Sequence, residues 1–356
     1  MLTIFHLQLI LQLLNFSLNH WTEEILSGVK CTNKLLSLFL IGVSCISLIG
    51  CGAAKEEESV TTYDLYDTSF SYGITHNGAT SDVELFAKEL CVTGNEDLGT
   101  SAVDSQVASG AAAFNITEQT TVYAQSVHEK LYPASTTKIL TAYIACIKGN
   151  LDDYYTVSTN AVDQASDSSV INLRAGDVIT LRDLLYGLML RSGNDAAVAI
   201  AEGISGDVES FAAEMNATAK ALGATNSNFI TPNGLHDENH YTTVYDMYLI
   251  LNAALENQDF YNIFTATSYT ANYTSGGAAK TAEWHTTNQY LTGKVNKPSG
   301  FTILGGKTGT TGAAGYCLVL LSENEDGDKI ISIVFNADCR SNLYLLMNEI
   351  LTNYCT

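Results

Sequence analysis

Strand-patterned stretches stand near both ends of the globular part of this chain, and helix-patterned stretches fill the middle. Residues 111–116 and 121–126 are short β-like runs around Glu118-Gln119, which predicts a hairpin. Residues 302–309, 316–321 and 329–336 are again strand-like, the last two joined by the turn-forming Glu325-Asp326-Gly327-Asp328, while 268–273 alternates only weakly. Between these groups, helical segments are set off by their own start and stop signals. An apolar run over 139–147 ends at Gly149. Thr180 opens a helix over 181–190 that halts at Ser192-Gly193. Asn194 is placed to cap a helix over 195–202, Gly223 closes one over 207–222, and Thr243 caps one reaching Leu255. An amphipathic helix over 341–353 follows the last strand. Strands at both ends with helices between imply an α+β fold rather than an alternating α/β one. The 356 residues, 46% of them hydrophobic, suffice for one large core or two modest ones.

Three short polar segments interrupt this pattern. Pro133-Ala134-Ser135-Thr136-Thr137-Lys138 opens the apolar run, and on a helix Ser135 and Lys138 share one face. A serine hydroxyl attacks poorly unless a base takes its proton. A lysine amine serves as that base only if burial or a second cation lowers its pKa. The second segment, Arg191-Ser192-Gly193-Asn194-Asp195, is a Ser-x-Asn between two helices. The third, Gly305-Gly306-Lys307-Thr308-Gly309-Thr310-Thr311-Gly312, is a Lys-Thr-Gly on a strand. Ser-x-x-Lys, a Ser-x-Asn-type motif and Lys-Thr-Gly, in this order, mark penicillin-binding proteins and class A β-lactamases.

On these residues, and on Ala314-Gly315-Tyr316-Cys317 after the third segment, the chain resembles the serine-type D-alanyl-D-alanine carboxypeptidases, the low-molecular-mass penicillin-binding proteins. The likeness covers roughly residues 105–356. It implies a transpeptidase/β-lactamase-like fold, with an antiparallel sheet, flanking helices and an all-helical lobe that completes a cleft. The substrate it implies is a peptidoglycan stem peptide ending in D-Ala-D-Ala. Ser135 would be the nucleophile and Lys138 its base, with Ser192 relaying the proton to the departing amine. Asn194, Lys307, Thr308, Gly309 and Thr310 would bind substrate, and the backbone N–H groups of Ser135 and Thr310 would hold the oxyanion. Gly305, Gly306 and Gly309 would leave the strand edge open to an added peptide strand. β-Lactams would acylate Ser135 as inhibitors. No metal or other cofactor is required.

Addressing signals precede the domain. Lys30 and Lys34 lead into the apolar run 35–49, which ends in Leu48-Ile49-Gly50-Cys51. A basic segment, an apolar segment and a small residue form a secretory signal, and a cysteine at this place resembles a bacterial lipoprotein signal. The expectation is that residues 1–50 comprise an upstream extension and the signal peptide. Cys51 then carries a lipid, residues 51–104 form a polar tether, and 105–356 are catalytic. That places the enzyme outside the cytoplasm, held to a membrane by its lipid. Residues 1–28 precede an otherwise complete signal and read as translated upstream sequence. A short helical pattern over 82–90 interrupts the tether.

The net charge of -21 argues against nucleic acid as a partner. Cys91, Cys146, Cys317, Cys339 and Cys355 remain after the signal and lipid site, with no Cys-x-x-Cys pair; Cys146 in a helix and Cys317 in a strand favour buried free thiols, and one disulfide of unassigned pairing is the alternative. His236 and His240 have the four-residue spacing of a helical zinc pair, but they follow the turn Pro232-Asn233-Gly234 and lack the His-Glu-x-x-His pattern. Trp284-His285-Thr286-Thr287-Asn288 resembles a family segment just before the Lys-Thr-Gly strand and reads mainly as packing, with lining of the cleft as the alternative.

Three other readings stand beside this one: a class A-like β-lactamase, a penicillin-sensing or non-catalytic binding protein, and a transpeptidase, which differs only in whether water or an amine reaches the acyl-enzyme and which the sequence leaves open. For the first two the needs are specific. The first needs a deacylating glutamate, which Phe229-Ile230-Thr231-Pro232-Asn233 does not supply. The second needs a cytoplasmic signalling part, or a broken motif among the three.

Overall fold

The computed structural model describes residues 74–76, 79–81, 87 and 89–356. The chain divides into two compact units, Met1–Asp82 and Val83–Thr356. In the first, β1 (Ile74–His76) and β2 (Ala79–Ser81) pair antiparallel. The expected signal peptide and Cys51 lie outside the described residues, as does most of the 82–90 pattern.

The second unit starts earlier than composition suggests. Residues 91–104, read above as the end of a tether, are anchored to the domain. Cys91 is fully buried, and its N–H donates to the Tyr248 hydroxyl at 2.8 Å. Leu98 and Ala124 exchange backbone hydrogen bonds of 2.7 and 3.0 Å. A polar stretch needs only such isolated anchors to lie down on a core, and hydropathy averages conceal them.

The expected hairpin forms as β3 (Gly110–Asn115) and β4 (Thr120–Gln125). A 3₁₀ turn, Ala134–Thr137, runs directly into α1 (Lys138–Lys148). The middle of the chain then gives β5 (Tyr154–Thr156), α2 (Thr159–Val162), β6 (Val178–Thr180), α3 (Leu181–Leu190), α4 (Asn194–Ser205), α5 (Val208–Ala221), α6 (Val244–Leu255) and α7 (Gln258–Phe264). Thr180 and Thr243 cap as expected, accepting from the N–H groups of Asp183 at 3.1 Å and Asp246 at 2.9 Å. Strands return as β7 (Ser268–Ser275), β8 (Ala278–His285), β9 (Thr302–Thr311), β10 (Gly315–Glu323) and β11 (Lys329–Ala337), before α8 (Arg340–Tyr354).

The main sheet is antiparallel, in the order β4-β3-β11-β10-β9. The two ends of the unit therefore interleave: β10 and β11 sit between the first hairpin and β9, which is left as an edge. Buried side chains alternate across it. Leu318, Leu320, Ile330 and Val334 pack with Leu343, Leu346, Met347 and Ile350 of α8 on one face. Val319, Leu321, Ile331, Ile333 and Phe335 belong to the larger core, shared with α1 and α6. Sandwiching between helices explains why these strands read as continuous apolar runs.

A second sheet, β5-β6-β7-β8, edges the helical part. Composition gives no sign of β8, whose residues are mostly exposed and half of them polar. Its pairing is set by the turn instead. Gly276 and Gly277 have φ of 59° and 80°, the two-residue primed turn that glycine alone adopts freely.

Candidate active site

The 3₁₀ turn fixes the backbone on either side of Ser135. Ala134 is held at φ 48°, a left-handed conformation costly for a residue with a Cβ. In a 3₁₀ turn, residues three apart eclipse one another, so Ser135 stands over Lys138. The Lys138 side chain is fully buried. Its Nζ donates to Ser135 Oγ at 2.9 Å, to Asn194 Oδ1 at 2.8 Å and to the Asn233 carbonyl at 2.6 Å. Burial, helped by the nearby Lys307 ammonium, pulls the Lys138 pKa well below the usual lysine range, against a weaker opposite pull from Asp195.

A second serine–lysine pair faces the first. Lys307 Nζ, also fully buried, donates to Ser192 Oγ at 2.9 Å and to the Thr308 carbonyl at 2.8 Å. Burial lowers its pKa to about 7. Ser192 sits at φ 59°, another left-handed residue at the centre of the site.

The expected cap at Asn194 does not form. Gly193 occupies the cap position of α4 without a side-chain bond, because the Asn194 amide oxygen is already committed to Lys138. Asp195, not singled out from sequence, does the local work: its buried carboxylate accepts from the N–H groups of Ile171 at 3.0 Å, Leu173 at 3.1 Å and Ala196 at 2.9 Å. The Asn194 N–H donates to the Ser169 carbonyl at 2.8 Å, so the motif and the 169–173 segment are tied together.

The third segment lies on the edge strand β9. Gly309 meets the start of the nucleophile turn: a Cβ there would lie 3.0 Å from the Pro133 carbonyl oxygen and 3.1 Å from the Ser135 nitrogen. The other two glycines have a different cause from the one expected. A Cβ at Gly305 would strike the Phe264 carbonyl at 2.7 Å, and one at Gly306 would strike Asn288 Nδ2 at 2.7 Å. They are needed for packing against neighbours, not to keep the edge open. Thr308 and Thr287 share a hydroxyl–hydroxyl bond of 2.7 Å, so the 284–288 segment lines the cleft, the second of the two roles its sequence allowed. The Thr310 hydroxyl turns back to the Gly309 carbonyl at 2.7 Å.

Ser135, Ser192, Thr308, Gly309 and Thr310, from all three segments, line one cleft of about 390 Å³. Arg191, Lys294 and Arg340 line it too, and no acidic side chain among the described residues does. Lys138 and Lys307 reach it through the serine hydroxyls they touch, and Asn194 lies behind them on Lys138 Nζ. Of the expected site residues only Cys51 falls outside the described ones.

The family model for peptidases described as D-alanyl-D-alanine carboxypeptidase matches residues 99–339. This chain belongs to the D-alanyl-D-alanine carboxypeptidase family. It is similar to the Bacillus subtilis D-alanyl-D-alanine carboxypeptidase DacF, 34% identical over 221 residues, covering 61% of this chain and 54% of that protein. A Streptomyces D-alanyl-D-alanine carboxypeptidase is 35% identical over 237 residues, covering 63% of this chain and 79% of the relative. The crystal structure of a Streptomyces DD-transpeptidase superposes with a TM-score of 0.62 at 32% identity, covering 69% of this chain and 97% of that one. The chain spans about half the length of some curated relatives, including 54% of the Bacillus protein and 51% of an Escherichia coli relative, DacC. The fold is thus that of the DD-transpeptidases and penicillin-binding proteins, as the sequence motifs imply.

Within this carboxypeptidase-family domain, the two histidines weighed as a zinc pair have separate partners. His236 meets the Tyr132 ring edge-on at 4.7 Å between centroids, and His240 is buried against Thr137. The five cysteines of the domain are unbridged. Sequence reading missed the Asn233 carbonyl. It is a backbone group with no side-chain signature, and the only available signal was the Pro232-Asn233-Gly234 turn. Gly234, at φ 79°, passes so close to the Ala134 carbonyl that a Cβ there would fall 1.9 Å from its oxygen.

Proposed function

We propose that this chain is a serine-type D-Ala-D-Ala carboxypeptidase that removes the terminal D-alanine from peptidoglycan stem pentapeptides. The reading rests above all on the 2.9 Å contact between Ser135 Oγ and the fully buried Lys138 Nζ. As an ammonium, Lys138 has three N–H donors for its three acceptors. As an amine it keeps two, for Asn194 Oδ1 and the Asn233 carbonyl, and its lone pair turns to the serine proton. Ser135 then donates to Lys138 and its oxygen attacks the carbonyl carbon between the two D-alanines. The Ser135 and Thr310 backbone N–H groups receive the oxyanion. Ser192, backed by Lys307, passes a proton to the leaving D-alanine nitrogen. Lys307 and the Thr308 hydroxyl take the substrate's terminal carboxylate, which makes the enzyme an exopeptidase. The substrate lies as an extra strand along the free edge of β9, and water then opens the acyl-serine ester.

The same reading makes β-lactams acylating inhibitors, and gives the chain an extracytoplasmic place with a lipid on Cys51 and a catalytic domain that starts near residue 91. A lipoprotein signal at 30–51 supports the address. Among the described residues no helix is long and apolar enough to cross a membrane. A class A-like β-lactamase fits less well, because the segment beside Lys138 supplies the Asn233 carbonyl where that chemistry needs a glutamate. The test is a D-Ala-D-Ala pentapeptide assayed for free D-alanine. Release by the wild type and none by Ser135→Ala is expected, with a penicillin adduct on Ser135 by mass spectrometry. Rapid, repeated penicillin hydrolysis without D-alanine release would overturn the reading in favour of a β-lactamase.

A further inference from the structure

The 229–240 segment enters the site as a closed loop. Asn228 and Tyr241 exchange backbone hydrogen bonds of 2.8 and 2.9 Å at its neck. Its tip delivers three contacts to the nucleophile helix: the Asn233 carbonyl to Lys138 Nζ, the Pro232 carbonyl to Thr141 Oγ1 at 2.7 Å, and Gly234 against Ala134. The Asn216 side chain holds one flank, accepting from the Phe229 N–H and donating to its carbonyl, both at 2.8 Å.

His240 joins the loop to the helix. Its Nδ1 accepts from the Ile230 N–H at 3.1 Å and more weakly from the Thr231 N–H at 3.4 Å. Since Nδ1 accepts, Nε2 carries the proton in the neutral ring and donates it to Thr137 Oγ1 at 2.9 Å. Thr137 is the residue immediately before Lys138. The ring lies edge-on to Phe229, 5.5 Å between centroids. The charged and titratable groups acting on it are Asp237, His236 and Lys138. Burial, the dominant cause, holds the imidazole pKa down to about 4, so the bridge is in its neutral form at neutral pH.

We propose that His240 is a positioning residue of the acyl-transfer site, whose ring clamps the 229–234 loop to Thr137 so that the Asn233 carbonyl stays on the Lys138 amine. This inference rests on the carboxypeptidase reading. The clamp has no contact with substrate. It acts by fixing one of the two acceptors that aim the amine's lone pair at Ser135, and small misplacements of that kind cost heavily in rate.

The test measures the rate of Ser135 acylation by a fluorescent penicillin, with thermal melting in parallel, in three variants. His240→Phe keeps the ring and removes both polar contacts. Thr137→Val removes only the bond on the helix side, and Thr137→Ser restores a hydroxyl there. Acylation is expected to fall about tenfold to a hundredfold in His240→Phe and about tenfold in Thr137→Val. Thr137→Ser is expected to recover to within about twofold of the wild type, and the double variant to be no slower than His240→Phe, since both break one bridge. All rates are taken far below each melting temperature. If Thr137→Val melts lower but acylates at the wild-type rate, His240 is only structural and the inference falls. If His240→Phe does not fold, the Thr137 pair decides alone. A wild type that penicillin does not acylate would instead defeat the enzymatic reading on which the inference rests.

Discussion

The site contains the same contact twice, built in opposite ways. Lys138 reaches Ser135 at 2.9 Å across one turn of backbone, and Lys307 reaches Ser192 at 2.9 Å across 115 positions of sequence. Both amines are fully buried and both have lowered pKa values. The backbone of the first pair is set locally, since residues three apart in a 3₁₀ turn eclipse one another, and Asn194 and the Asn233 carbonyl then aim its amine. The second exists only while the turn between α3 and α4 stays against β9. The comparison separates two kinds of contact: Ser135 and Lys138 travel together on one stretch of chain, while Ser192 and Lys307 meet only where the sheet and the helical part join.

The sharpest way to break the comparison is to remove each lysine's role in turn. On the proposed mechanism, Lys138→Met leaves Ser135 without a base and strands the Asn194 and Asn233 acceptors, so D-alanine release should fall by on the order of 10³–10⁴. The melting temperature separates that loss from unfolding. Ser192→Ala should cost less, about 10²–10³, because the nucleophile and its base are untouched. Penicillin acylation should remain detectable in that variant. If Ser192→Ala were as severe as Lys138→Met, the two pairs would form one inseparable unit.

How much of this was legible follows the same division. Ser135, Lys138 and the strands β9 to β11 were readable, because motif spacing and apolar runs are local properties of the chain. Ser192, Asn194, Lys307 and Thr308 were placed by resemblance, and their convergence is a tertiary fact. What stayed hidden acts through backbone or through burial. The Asn233 carbonyl has no residue type to betray it. Asp195 looks like an ordinary first-turn acid until the 169–173 segment is seen folded onto its carboxylate. Asn194 had the right identity for a cap and was used elsewhere. Gly305 and Gly306 are glycines because of Phe264 and Asn288, far off in sequence.

A pH profile sharpens the contrast further. Lys138 must be neutral to accept a proton, so acylation should rise as pH increases through its lowered pKa. In the proposed mechanism Lys307 holds the carboxylate as a cation, and burial lowers its pKa to about 7. In the free enzyme, therefore, peptide binding should weaken as pH rises through about 7, seen as an increase in KM more than a loss of kcat. A flat KM from pH 6 to 9 would show that Lys307 keeps its charge. The smallest effect is expected at the contact between the strand and the nucleophile turn. Gly309→Ala puts a methyl group 3.1 Å from the Ser135 nitrogen. The turn must yield a few tenths of an ångström, and a loss of about tenfold in acylation is expected, read from the same penicillin assay.

The molecule as a whole carries a net charge of -21, yet its cleft is lined by Arg191, Lys294 and Arg340 with no opposing acid among the described residues. Seen from a distance the protein repels anions; seen from the mouth of the cleft it attracts them. A ligand with a free carboxylate thus meets a narrow funnel in an otherwise hostile field, and capture should slow as added salt shortens the reach of that funnel. A neutral, amidated analogue has no such guidance to lose.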